Sequence, residues 1–205
     1  YVDGDELGRY SQVGCVTPDH TIRTKNWPLI LPAPEQGASE AFETAVRQAV
    51  DAFADTYDDY FERNSARQVQ SKIKLDTAPR VVLVPGVGLF GIGSTSKDAK
   101  IAADIAESTV ETVADAEAIG RFESAGETDL FDVEYWSLEQ AKLGKAPQKP
   151  LAGQVALVTG GGSGIGAATA AAFGREGVEI AILDIDEVAA AATARTVGGS
   201  AIAVC

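Results

Sequence analysis

Apolar positions along the chain fall into two rhythms. Phe42, Ala45, Val46, Ala49, Val50, Phe53, Tyr57 and Tyr60 recur at three- and four-residue steps, which predicts one long amphipathic helix. Ser39, just ahead of it, has the side chain of an N-cap. Asp51, Asp55, Asp58 and Asp59 fall mostly off the stripe and read as a solvated acidic face. A second helix is predicted from Ser96 to about Ile119, with Ile101, Ile105, Thr109, Thr112, Val113 and Ala116 turned inward. Between the helices, "RVVLV" (Arg80–Val84) reads as a buried strand, and Gly-rich turns lead to a second apolar piece, Leu89–Ile92. Leu29–Leu31 reads as a short strand hemmed in by Pro28 and Pro32. Phe131, Tyr135 and Trp136 stand ahead of a short helix and are expected to dock on the rest of this region.

The rhythm changes after "KLGKAPQKP", Lys142–Pro150. This stretch is basic, carries two prolines and has no apolar period, so it reads as a linker. Beyond it come a strand in "QVALVTG", a helix over Ile165–Glu176, a strand in "VEIAILD", an Ala-rich helix in "IDEVAAAATARTV", and a third strand in "AIAVC". Strands alternating with helices predict an α/β fold with a parallel, doubly wound sheet. Val155–Val158 is expected to be buried on both faces. The chain thus divides into an α/β domain over 1–141, a linker over 142–150, and the first three strands of a doubly wound sheet over 151–205.

Composition narrows the class. No apolar run approaches the roughly 18 residues of a membrane span, and the polar start carries no signal-peptide pattern. Two cysteines, Cys15 and Cys205, do not make a disulfide framework and fit a reducing setting. A net charge of −13 argues against a nucleic-acid partner, which selects for Lys and Arg. These features fit a cytoplasmic enzyme acting on small molecules. The chain has no Met, and it is expected to be an internal fragment of a longer protein.

The chemistry concentrates in "LVTGGGSGIGAATAAAFGREG", Leu157–Gly177. Gly160, Gly164 and Gly166 lie between a strand and a helix. Glycines there permit a tight turn and let backbone N–H groups approach a diphosphate. The helix N-terminus adds about half a positive charge aimed at that anion. Ala167 and Ala168 are small enough to let the helix sit close to the sheet. Asp184 lies twenty residues beyond Gly164, at the end of the second strand. An acid at that place accepts from both ribose hydroxyls of NAD and repels the extra phosphate of NADP. The alternative is that Asp184 caps the next helix, for which Asp186 is better placed.

"TGGGSGIG", Thr159–Gly166, resembles the T-G-x-x-x-G-x-G loop of the short-chain dehydrogenase/reductase family. That resemblance implies a Rossmann sheet in which Gly160, Ser163, Gly164, Ile165 and Gly166 line the pyrophosphate and Asp184 holds the adenosine ribose. The family's catalytic Tyr-x-x-x-Lys occurs nowhere in this chain, so no catalytic residue of that half is assigned. The preceding region resembles the C-terminal part of the aldolase half of bifunctional rhamnulose-1-phosphate aldolase/short-chain dehydrogenases, through "GCVTPDHTIRTK", "LVPGVGLFGIG" and "EYWSLEQAKLGK". The resemblance implies a class II, zinc-dependent cleavage of a ketose phosphate to dihydroxyacetone phosphate and lactaldehyde, followed by oxidation of the aldehyde with NAD. It also implies a homo-oligomer at full length. The zinc ligands would be His residues, and this chain has a single His, so they are expected outside it.

That histidine, His20, stands beside Arg23 and Lys25. Either the three form a phosphate- or substrate-contacting cluster or His20 is a hydrogen-bonded turn residue. "VVLVPGVGLFGIGSTS" and the helix after it look like a strand–Gly–strand–helix unit of a class II aldolase with Pro85 where a metal ligand would stand, which suggests a second repeat without its metal. Gly86–Gly93 lacks the Lys-Ser/Thr ending of a P-loop. Two other readings stay open: a single-function short-chain oxidoreductase with an unrelated N-terminal extension, and a non-catalytic module with a vestigial loop.

Overall fold

The computed structural model describes residues 1–143, 149–199 and 201–204. The chain forms two compact units, Tyr1–Ile92 with Ala99–Lys145, and Gly93–Asp98 with Ala146–Cys205. The elements in order are α1 (Leu7–Tyr10), α2 (Thr21–Thr24), β1 (Leu29–Ile30), α3 (Ser39–Ser65), β2 (Val81–Val84), β3 (Gly88–Gly91), α4 (Ser96–Ile119), α5 (Glu127–Glu134), α6 (Ser137–Gln140), β4 (Val155–Thr159), α7 (Gly164–Arg175), β5 (Glu179–Leu183), α8 (Glu187–Val197) and β6 (Ile202–Val204).

The first unit is built on a three-stranded mixed sheet in the order β1-β2-β3. β1 runs parallel to β2, with Leu29 opposite Val82, and β3 returns antiparallel, with Leu89 opposite Leu83. All four residues of β2 are buried, and the pleat explains why. Val82 and Val84 face one side, where Phe42, Val46, Ala49 and Phe53 of α3 pack on them together with Leu29 and Leu31. Val81 and Leu83 face the other side, against Leu7 of α1, Leu89 and Ala106 of α4. Gly91 marks the closest approach of α4, since a Cβ there would lie 2.2 Å from the Ala99 carbonyl oxygen. Strand, turn, strand and helix thus follow one another over residues 81–119. A third cluster joins Tyr57 and Tyr60 of α3 to Phe131 of α5 and Tyr135.

Three local expectations fail here. Ser39 is the first residue of α3 and Ala38 holds the cap position, with no side-chain cap bond. In α4 the buried face is Ala102, Ala106 and Val113, while Thr112 is exposed. Small alanines make that contact because the helix lies so close to the sheet. Trp136 is half exposed, whereas Phe131 and Tyr135 are buried.

The second unit is a parallel sheet in the order β4-β5-β6. α7 and α8 contribute Ala170, Ala190 and Ala194 to a core with Val178, Ile180 and Ile182. That core lies on one face of the sheet. Ala156 and Val158 of β4 pack against it, while Val155 and Leu157 point the other way and are 78 % and 62 % exposed. The expected burial of β4 on both faces is therefore corrected to one. Ala168 is exposed too, and Ala170 takes the packed position. Most of the expected linker, and Cys205, lie outside the described residues. Of the linker's start, Lys142 and Leu143 belong to a 3-10 turn, Ala141–Leu143.

Candidate functional site

The second unit's site forms where β4 hands over to α7. Gly160 and Gly164 have φ of 62° and 52°, a left-handed backbone that L side chains resist. Ser163 between them is extended and takes the N-cap position of α7 without a side-chain cap bond, so its exposed hydroxyl has no role in capping. Gly166 is required by contact. A Cβ there would lie 2.1 Å from the Gly160 carbonyl oxygen, so a side chain would push the helix off the loop. The N–H groups of Gly164, Ile165 and Gly166 occupy the first helical turn, where no carbonyl lies one turn back to accept them. With the helix dipole they make a donor set suited to an anionic diphosphate. Ile165 is 88 % exposed beside them.

Asp184 follows the last residue of β5. One carboxylate oxygen accepts the Gly162 N–H at 2.8 Å and the other accepts the Asp186 N–H at 3.0 Å. The bonds from Asp186 and then Gly162 hold its pKa below the usual carboxylate range. The group is therefore a charged acceptor with lone pairs left over, fitting for ribose hydroxyls. The cap of α8 is Asp186, whose side chain accepts the Ala189 N–H at 3.0 Å. Gly160, Ser163, Gly164, Ile165, Gly166 and Asp184 thus belong to one corner of the sheet, where the residues present fit a dinucleotide.

The other three candidates do not share a surface in this way. Lys25 is 3 % exposed. Its φ of 62° is unusual for a side-chain-bearing residue. Its Nζ donates to the Asp76 carbonyl at 2.5 Å and stands 3.6 Å from the centre of the Tyr57 ring. Burial lowers its pKa to about 8, against the pull of Glu134 and Asp76. Arg23 is part exposed and donates to the Lys142 carbonyl at 2.9 Å. His20 is half-buried in a 3-10 turn, with Nδ1 enclosed and without a hydrogen-bond partner among the described residues. Among the described residues no group of three His, Cys, Asp or Glu is arranged to hold a metal, and no helix is long and apolar enough to cross a membrane.

Two further functional or structural residues carry only a faint signal in the sequence. Thr193 of α8 donates to the Gly162 carbonyl at 3.1 Å. It is the polar member of an otherwise alanine face, and that irregularity is its signal. Glu134 is fully buried and accepts from Tyr57 at 2.8 Å and Tyr60 at 2.9 Å. Its signal is an acid set among Phe131, Tyr135 and Trp136.

Geometry of this kind defines an α/β protein with a glycine loop between a strand and a helix and a charged aspartate at the end of the next strand. The comparisons refine that class. The sequence model of the family "Aldolase class II, second domain" matches residues 1–143, and the chain belongs to that family. Residues 1–143 are therefore not an unrelated extension. The chain is 32 % identical over 188 residues to the uncharacterized oxidoreductase YuxG of Bacillus subtilis, covering 91 % of this chain and 27 % of that protein. It spans about a quarter of that relative's length. Shorter matches join it to dehydrogenases and reductases. It is 47 % identical over 55 residues to tropinone reductase-like 1 of Erythroxylum coca, covering 27 % of this chain and 20 % of that protein. It is 50 % identical over 54 residues to the sorbitol dehydrogenase of Cereibacter sphaeroides, covering 26 % and 21 %. A class II aldolase second domain and a region similar to dehydrogenases and reductases are thus combined in one polypeptide.

Proposed function

We propose that the chain is part of a bifunctional enzyme that cleaves a deoxyketose 1-phosphate of the rhamnulose 1-phosphate type and oxidises the released lactaldehyde with NAD. The observation that carries this reading is a class II aldolase second domain, residues 1–143, followed in the same chain by the loop Gly160–Gly166 and Asp184. A lyase that releases an aldehyde and a dehydrogenase that consumes it form a chemically coherent pair. The choice of sugar rests on the resemblance of "GCVTPDHTIRTK", "LVPGVGLFGIG" and "EYWSLEQAKLGK".

The preference for NAD rests on Asp184, whose charge beside the ribose position opposes a phosphate there. Bound NAD would supply the hydride acceptor. This chain's residues contribute the first-turn N–H donors, the Ser163 hydroxyl and the Asp184 acceptor. Zinc, implied by the same resemblance for the aldolase half, finds no ligand set among the described residues, so no step is routed through it. His20, Arg23 and Lys25 do not form a shared substrate surface, and no substrate contact is assigned to Lys25. A cytoplasmic, homo-oligomeric enzyme of small-molecule substrates completes the reading.

The test is NADH formation by the full-length polypeptide supplied with rhamnulose 1-phosphate, with lactaldehyde as the second substrate and NADP as the competing cofactor. The reading expects NADH from both substrates. NADH from lactaldehyde alone would remove the sugar assignment, and equal use of NADP would remove the role given to Asp184.

A further inference from the structure

We propose that Thr193 is a positioning residue for the dinucleotide loop, holding the Gly162 peptide in place before any ligand arrives. The proposal rests on reading Gly160–Gly166 as a dinucleotide site. Gly162 is gripped on both of its polar groups. Its N–H donates to Asp184 at 2.8 Å, and its carbonyl accepts from the Thr193 hydroxyl at 3.1 Å. The neighbouring Gly161 N–H donates to the Leu183 carbonyl at 3.2 Å. Thr193 is 8 % exposed and sits on the inward face of α8 near Ala190 and Ala194. The fit is close, because a Cβ on Gly162 would lie 2.8 Å from the Asp184 carboxylate and 2.9 Å from the Ala189 methyl.

Two consequences follow from this clamp. The Gly162 N–H is already used, so the diphosphate donors are the Gly164, Ile165 and Gly166 N–H groups and the Ser163 hydroxyl. The loop is also ordered by β5 and α8, which touch its rear, so binding need not order it, and pre-organisation of that kind strengthens affinity. Thr193 and Asp184 differ as probes. Asp184 is available to the ribose as well as to Gly162, whereas Thr193 makes its bond behind the loop. Thr193→Val therefore removes one hydroxyl at nearly constant shape and leaves the Gly162 carbonyl short of a partner.

The test compares the whole chain with its Thr193→Val and Thr193→Ser variants. Hydrogen exchange of the loop amides is read without ligand, and affinities for ADP-ribose and for adenosine are read separately. Thr193→Val is expected to speed exchange at Gly162 about five- to tenfold, the worth of one hydrogen bond. It should weaken ADP-ribose by a similar factor and leave adenosine unchanged, and Thr193→Ser should restore both. Unchanged exchange in Thr193→Val, or a Thr193→Ser variant as impaired as Thr193→Val, would overturn the proposal. Equal losses for adenosine and ADP-ribose would overturn it too, since they would mark a general structural defect. A wild-type chain that fails to bind ADP-ribose strikes the cofactor reading and the binding role together, while the exchange comparison still decides the clamp.

Discussion

Two carboxylates, one in each compact unit, are held in opposite ways. Glu134 is fully buried, accepts hydroxyls from Tyr57 and Tyr60, and has its pKa raised by burial despite the opposing pull of Lys25 and the two hydroxyls. Asp184 is part exposed, accepts two backbone N–H groups, and has its pKa lowered by them. The side-chain network around Glu134 extends to Tyr135, which shares a 2.8 Å hydrogen bond with Tyr57 and receives the Leu75 N–H at 3.2 Å. It ties α3, α5 and the segment near residue 75 together in the interior. Asp184 ties only a loop to the end of a strand, and it keeps lone pairs facing water. A carboxylate enclosed by side chains serves the fold, while one held by backbone at a surface corner is ready for a ligand.

Glu134 is the more costly of the two carboxylates to remove. Glu134→Ala leaves the Tyr57 and Tyr60 hydroxyls without their acceptor and Lys25 without its nearby counter-charge, and it opens a cavity. Loss of one partner from such a buried polar group costs about 3–5 kcal/mol. Trp27 and Trp136 both lie in the first unit, so tryptophan fluorescence in urea reads that unit selectively. The midpoint should fall strongly, and Glu134→Gln, which keeps an acceptor, should recover part of the loss. A midpoint unmoved in Glu134→Ala would mean that the network does not hold the unit together.

Alkaline pH gives the next largest effect. Burial pushes Tyr135 up to about 12, and it pushes Tyr57 and Tyr60 higher still, with Glu134 adding to the shift. In the unfolded chain these phenols ionise near their ordinary value of about 10. Their contribution is complete below pH 10 and is lost progressively as pH rises, through about 12 for Tyr135 and beyond it for Tyr57 and Tyr60, because the unfolded state sheds protons that the folded state retains. Lys25 works the other way. Its lowered pKa penalises the folded state below about pH 8, and that penalty is relieved as pH rises toward its ordinary value. Stability of the first unit should therefore rise gently above pH 8 and fall beyond pH 10, by about 1–2 kcal/mol in the first unit of pH. Tyr60→Phe should be less stable at neutrality and have a shallower alkaline limb. An equally steep limb in that variant would remove the tyrosines as its cause.

Much of this contrast was legible before the fold was known, though unevenly. The spacing of the glycines, the strand before them and the acid after the second strand all lie within one supersecondary unit, so local sequence carries them. The α3 stripe and the all-buried β2 were legible for the same reason. The face of α4 was not, because two of its three buried residues are Ala102 and Ala106, and alanine carries little hydrophobic signal. The one-sided cover of β4 was not legible either, because an apolar strand shows the same run whether one or both faces are covered. Lys25 was grouped with His20 and Arg23 by proximity in sequence, while its left-handed backbone sends the side chain inward. The Glu134 network joins positions 57, 60, 75 and 134–135, and contacts of that separation leave no periodic trace.

Removing the Asp184 carboxylate should change stability least. Asp184→Ala removes the acceptor of the Gly162 and Asp186 N–H groups at a part-exposed site, so urea unfolding should move far less than in Glu134→Ala. The loop itself should loosen, with faster exchange at Gly162 and a weaker distinction between NAD and NADP. The pH dependence should follow the lowered pKa. Its contribution is present above the ordinary carboxylate value and is lost as pH falls through the lowered one, so the wild-type latch should persist into acid where an unperturbed Asp has already taken up its proton. Amide exchange of Gly162 followed against pH, after correction for the intrinsic rate, would reveal that transition in the wild type and its absence in Asp184→Ala. If the two chains titrate alike, Asp184 does not hold the loop, and the contrast with Glu134 reduces to burial alone.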